Sequence, residues 1–370
     1  MYEILNQKEY AKYNVIKDYK PETNDWVARM MHHTIDPREE DSIKVVESLI
    51  DQYAPNFTSD YFNICCDETF DLKEECGEKA EELYLDFVNK IISHVKRKDK
   101  KVMMWADILL QHPESITSIP EDTLFLNWDY SPTPSENNVA RFKELSRKQI
   151  LCPGTWSWNN FCEGLSYSVP NICKMAEYGY KYGAYGMLTT NWGDYNNICS
   201  LELASYGFIL GAEKSWNPSI EINEELEDKM DFLLYGKKGG AKYVKRLSSL
   251  QEGISWADFC YFYSEVKKLN LVDPKFMLKE EFILEKQKAY KEFISDLSKE
   301  DWQNGDFKNE LIVSAKGMMI MLDYYIEKFN INLPKMVNVK EWYEDYSKLW
   351  LSKNKPSELY RIKEIVDFIG

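Results

Sequence analysis

Short apolar runs alternate with longer amphipathic stretches through the first half of the chain. The runs lie at 61–66, 101–105, 123–128, 149–152 and 185–190. They do not alternate apolar with polar residues, which predicts strands buried on both faces, as in a parallel sheet. Helical stripes separate them. Ile43, Val46, Leu49, Ile50 and Tyr53 mark one helix at 42–53. Ala80, Leu83, Tyr84, Phe87, Val88, Ile91, Ile92 and Val95 mark another at 77–98, with acids early and Lys/Arg late, as the helix dipole favours. Further helices are expected at 136–147, 168–182 and 199–212, and a short one around Glu9, Tyr10 and Tyr13. Pro21 and Pro37 mark loops.

From about 221 the strand signals stop. Helical stripes appear at 223–235, 240–251, 277–297, 306–329, 338–352 and 357–369, punctuated by Gly236, Gly239, Gly240, Pro274, Gly305 and Pro334. Strand, loop and helix repeated five times predict an α/β fold of the (β/α)8 TIM-barrel type, with about five of its strands present. The expected organisation is a partial barrel at 1–220 and an all-α C-terminal domain at 221–370. In the latter, Met318, Met319, Met321, Trp342 and Trp350 read as core filler.

The net charge of −15 argues against nucleic acid and anionic membrane surfaces as partners. No stretch is long and apolar enough to span a bilayer, and Met1–Asn6 has neither the basic start nor the apolar run of a leader. The eight Cys, at 65, 66, 76, 152, 162, 173, 199 and 260, show no paired metal-ligand spacing. They read as reduced thiols in a cytoplasmic protein, each a small buried hydrophobe, and no metal or cofactor is implied.

Chemistry concentrates where the predicted strands end. Asp67 and Glu68 close the first, Trp105 and Asp107 the second, and Trp128 and Tyr130 the third. Trp156 and Trp158 come after the fourth, and Trp192 and Asp194 after the fifth. Any one indole is more often core than binding surface. Five of the eleven Trp at equivalent positions point instead to a ring-stacking wall at a barrel mouth, with carboxylates for hydroxyls or protons.

Four motifs in order carry a resemblance: Asn63-Ile64-Cys65-Cys66-Asp67-Glu68-Thr69-Phe70-Asp71-Leu72, Val102-Met103-Met104-Trp105-Ala106-Asp107, Asn127-Trp128-Asp129-Tyr130 and Thr190-Asn191-Trp192-Gly193-Asp194. Together they resemble glycoside hydrolase family 20, the β-N-acetylhexosaminidases, over roughly residues 1–215. The resemblance implies an exo-acting, retaining hydrolysis of terminal N-acetylglucosamine or N-acetylgalactosamine, in which the substrate's own acetamide attacks the anomeric carbon. It implies Glu68 as general acid/base and Asp67 as the carboxylate that orients the acetamido N–H. Trp105, Trp128 and Trp192 would wall the sugar, Asp194 would bind hydroxyls, and Tyr130, Asp107, Trp156 and Trp158 are further substrate-binding candidates.

The chain departs from the family pattern in three places. Cys65 or Cys66 stands where the family has Gly. The Tyr expected after the seventh strand has no counterpart at Trp156-Ser157-Trp158-Asn159. The family's third-strand Gly-His motif is not found. Met1–Asn6 resembles the residues that come immediately after that motif in the family, so the first three strands are expected to be missing. His32 and His33 read as loop residues. Such an arc would expose parallel edges, which leaves three states open: a truncated gene product, a start-site artefact, or a fragment completed by a second chain or in an oligomer. Rival readings are a catalytically impaired glycan-binding remnant and an interaction protein working through its helical domain.

Overall fold

The computed structural model describes residues 2–17, 33–261, 263 and 278–370. Pro21, His32 and Pro274 lie outside the described residues. Five strands form one parallel sheet: β1 Tyr61–Asn63, β2 Lys101–Trp105, β3 Leu124–Trp128, β4 Lys148–Cys152 and β5 Gly186–Met187. They lie in the order β1-β2-β3-β4-β5, with Asn63 beside Met103, Trp105 beside Leu126 and Trp128 beside Cys152. Sequential parallel strands joined through helices are the winding of a (β/α) barrel, and the sheet is the five-strand part of one.

Side chains alternate across a strand, so each strand serves both faces. Val102, Met104 and Phe125 point to one face and join Val88, Ile92 and Val95 of the helix Ala80–Lys96 and Phe142 of the helix Glu136–Glu144 in one apolar cluster. Met103, Trp105, Leu126, Trp128, Ile150 and Cys152 form a second cluster on the opposite face. With both faces covered, no polar alternation is needed, which explains the unbroken apolar runs. Each fully buried side chain of this size contributes roughly 1.5–3 kcal/mol.

Several boundaries differ from expectation, among them β5, Gly186–Met187 within the expected 185–190, and the helix Ser205–Trp216 against 199–212. β1 ends at Asn63 rather than at 66 because Cys65 and Cys66 take left-handed φ of 60° and 69°. Pairing continues briefly past it: Ile64 N–H donates to the Met103 carbonyl and Trp105 N–H to that of Cys65. A further helix, Phe70–Cys76, occupies the expected loop, and Gly77, at φ 55°, separates it from the helix Ala80–Lys96.

The chain divides into two compact units. One holds Met1–Asp129, Ser135–Cys152 and Met175–Leu188, and with them the whole sheet. The other holds Tyr130–Pro134, Pro153–Lys174 and Thr189–Gly370. The latter contains the helices Glu224–Met230, Gly240–Gln251, Glu280–Lys299, Gly305–Lys328, Val339–Lys353 and Leu359–Ile369. Asn223, Asn304 and Asn338 cap three of them through side-chain oxygens. Gly305–Lys328 is buried on nearly every side, including Met318, Met319 and Met321. Its Gly317 leaves room for Phe161, whose ring would lie 2.5 Å from an added Cβ. Trp342 and Trp350 are buried as well. Among the described residues no helix is long and apolar enough to cross a membrane.

Candidate active site

The acidic group is built where β1 and β2 end. Past Asn63 the backbone turns through Cys65, Cys66 and Glu68, all left-handed, with Glu68 at φ 52°. Left-handed geometry is unfavourable for residues with a Cβ, so the turn needs outside support. Tyr84, on the helix Ala80–Lys96, donates its hydroxyl to the Cys66 carbonyl at 2.7 Å. Asp107 opens the short helix Asp107–Gln111 after β2, and its Oδ2 accepts the Glu68 backbone N–H at 2.9 Å.

Burial governs the electrostatics. The Asp107 carboxyl is pushed up to about 6, first by burial and then by the neighbouring charge of Asp67; the Glu68 amide and a hydrogen bond from Trp128 pull the other way. Asp67 is raised as well, again first by burial, and the charge of His33 opposes this. Asp67 lines a cavity of about 310 Å³ with His33, Thr34, Cys65, Cys66, Thr69 and Tyr84. From the sequence, His33 and Tyr84 have no role here. His33 is 34 positions upstream of Asp67, and no local pattern joins them. Trp105 is 6% exposed and packs with Leu126 and Cys152, while Trp128 is half-buried in the same cluster.

The aromatic group belongs to the other unit. Tyr130 is its hub. Its carbonyl accepts the Trp156 indole N–H at 2.5 Å, and its hydroxyl accepts that of Trp192 at 2.7 Å. Its ring lies 5.0 Å from that of Trp158, which lies 5.0 Å from Trp156, and Trp156 stacks on Tyr167 at 4.4 Å. Gly154 permits this packing: a Cβ there would lie 2.7 Å from Trp158 and 2.9 Å from Tyr130. Asn191 Oδ1 accepts the hydroxyls of Thr155 and Ser157, tying the loop after β4 to the residues before Trp192. Trp192 is 38% exposed, and Asp194 begins the one-turn helix Asp194–Asn197 beyond it. The structure thus joins Asp67, Glu68, Asp107, Trp105 and Trp128 in one unit, and Tyr130, Trp156, Trp158 and Trp192 in the other. Tyr167 is an aromatic partner that no sequence pattern singles out.

Comparison with known proteins gives a family. The glycosyl hydrolase family 20 catalytic-domain model matches residues 4–229. No curated protein matches. Among solved structures, the chain is similar to a beta-N-acetylhexosaminidase from Bacteroides fragilis, at 16% identity over 54% of this chain and 44% of that one, with a TM-score of 0.40. It is also similar to a Flavobacterium johnsoniae chitobiase, at 13% identity over 98% of this chain and 63% of that one, with a TM-score of 0.37. The chain therefore spans less than two thirds of either protein's length. The family match covers more than half of this chain and includes every strand of the sheet and both groups of site residues: the chain belongs to glycosyl hydrolase family 20.

Proposed function

We propose that the chain is an exo-acting β-N-acetylhexosaminidase that removes terminal N-acetylglucosamine or N-acetylgalactosamine with retention of configuration. The observation that carries this reading is the adjacent pair Asp67 and Glu68 at the end of β1, within a match to the family's catalytic domain. Glu68 gives its proton to the glycosidic oxygen. The acetamide carbonyl oxygen then bonds to C1 as the C1–O bond to the leaving group breaks, giving a cyclic oxazolinium. Ionised Asp67 accepts the acetamide N–H and balances that positive charge. Water next adds at C1, Glu68 takes its proton, and the ring opens to the sugar with its original configuration.

The surroundings favour these roles. Glu68 is half-buried, and partial desolvation favours a carboxylic acid that keeps its proton. Burial raises the Asp67 carboxyl, and the neighbouring His33 offsets part of that toward the ionised form. Within the other unit, the cluster of Tyr130, Trp156, Trp158 and Trp192 is itself of the kind that stacks on the apolar face of a pyranose.

Aryl N-acetylglucosaminides and N-acetylgalactosaminides test the reading directly. The full chain is expected to release the aryl group. Glu68→Gln, which keeps the shape but carries no transferable proton, is expected to lower kcat by about 10²–10⁴. Full activity in that variant would remove Glu68 from the mechanism, and sugar binding without turnover in the parent chain would favour a glycan-binding protein instead.

A further inference from the structure

We propose that Asp107 is a positioning residue: its carboxylate clamps the backbone amide of Glu68 and so holds the left-handed turn that aims the Glu68 side chain. The proposal rests on the reading of Glu68 as the acid/base. It departs from the sequence expectation that Asp107 meets the sugar.

The geometry carries it. Asp107 Oδ2 lies 2.9 Å from the Glu68 nitrogen, across 39 positions of sequence. Glu68 sits at φ 52°, a conformation that costs a residue with a Cβ about 1–2 kcal/mol and persists only where neighbours impose it. The preceding cysteines share that conformation, so the turn has no intrinsic preference for its shape. A carboxylate accepting a backbone amide is among the stronger hydrogen bonds. Asp107 is itself fixed, because it begins a helix directly after β2 and receives a hydrogen bond from Trp128. One carboxyl therefore orients both the proposed acid and an indole from the end of β3. Its Oδ2 is committed to the Glu68 amide, so the carboxyl supports the site from behind, while its buried Oδ1 meets no donor among the described residues.

Titration of Asp107 should be visible at Glu68. The ionisable groups facing Asp107 are Asp67, Cys66 and Tyr84. Cys66 and Tyr84 are both held well above their ordinary values by burial, which leaves Asp67 and the proposed acid Glu68 as the groups that titrate alongside. These carboxyls share their macroscopic steps.

The test monitors the Glu68 amide by NMR in the 15N-labelled full chain, alongside turnover of an aryl N-acetylglucosaminide. In the parent protein the amide is expected to be protected from exchange, and its shift to move with a midpoint near pH 6. Asp67→Asn should keep the movement but lower its midpoint, because the charge of Asp67 raises Asp107. Compared in a Glu68→Gln background, which removes that residue's own titration, Asp107→Asn, which keeps an acceptor oxygen, should abolish the movement and retain most of the protection. Asp107→Ala should lower the protection by roughly tenfold, the worth of one such bond. In turnover, Asp107→Ala should lower kcat about tenfold or more with KM within twofold.

An amide that exchanges equally fast in the parent and in Asp107→Ala, or whose shift is flat from pH 4.5 to 7.5, overturns the proposal. A raised KM at constant kcat overturns it too, because Asp107 would then be binding sugar directly. The expected amide behaviour in a chain without turnover supports the clamp and sinks the hydrolase reading alone.

Discussion

Cys65, Cys66 and Glu68 have left-handed backbones, and none of them is glycine. Each such residue costs about 1–2 kcal/mol, whereas glycine accepts the conformation freely. Cys65 offers the cleanest measure of that strain because it is the most exposed of the three. Replacing it by glycine removes the strain but adds roughly 0.5–1 kcal/mol of backbone entropy to the unfolded chain. Cys65→Gly is therefore expected to stabilise the protein by about 0.5–1 kcal/mol, and Cys65→Val to destabilise it by more than about 1 kcal/mol, in urea unfolding. Equal midpoints for both variants would show that the turn is unstrained. The Asp67–Glu68 pair itself was legible in sequence, since adjacent acids after an apolar run are a local pattern. The supports were not, because Tyr84, Asp107 and His33 reach the turn through folding.

One pairing of elements organises the sheet-containing unit: the helix Ala80–Lys96 against β2 and β3. Eight of that helix's residues are buried, spaced as one face of a helix requires. Opposite it, Phe125 is fully buried, with its ring 5.2 Å from that of Phe142. Phe125→Ala leaves a cavity that neighbours on both sides cannot fill. It is expected to cost about 3–5 kcal/mol of stability by urea or thermal unfolding. A loss under about 1 kcal/mol would mean that the cluster repacks. Elements with a strong period were read well: the helix at Gly240–Gln251 matches its expected span. The helix Phe70–Cys76 was not foreseen, because its buried residues are only Asp71 and Leu72 and so form no stripe.

Over the whole molecule, several carboxyls are buried. Glu163 is fully buried and pushed up to about 8 by burial, although its Oε2 accepts the Gly207 N–H at 2.8 Å. Asp71, Glu310 and Asp323 are raised for the same reason. A carboxyl whose folded value lies above its unfolded value makes folding take up a proton. Its contribution is full below the unfolded value near pH 4 and is lost as pH rises through the folded value. Exposed carboxylates such as Asp51, held down by Lys98 and His94, act in the opposite sense, but only as pH falls below about 4. Stability is therefore expected to fall between pH 5 and pH 8. Glu163→Gln should flatten that slope by up to about 3 kcal/mol between pH 5 and pH 7, read as denaturation midpoints at each pH. A parent protein equally stable at pH 5 and pH 8 would contradict this.

The sequence by itself determined the succession of elements, the parallel strands, the helical region after them and the family motifs. Each of these is written in residues close together along the chain, through periodicity, turn residues and short motifs. Tertiary structure alone decided how the strand-end residues are used. It buried Trp105 among apolar neighbours, brought His33 to the cavity beside Asp67 and turned Asp107 onto the Glu68 amide. It also made Tyr130 the anchor of two indoles. These arrangements depend on which residues meet across tens of positions. That is settled by packing and by the need of buried polar groups for partners, and neither is visible in a local pattern.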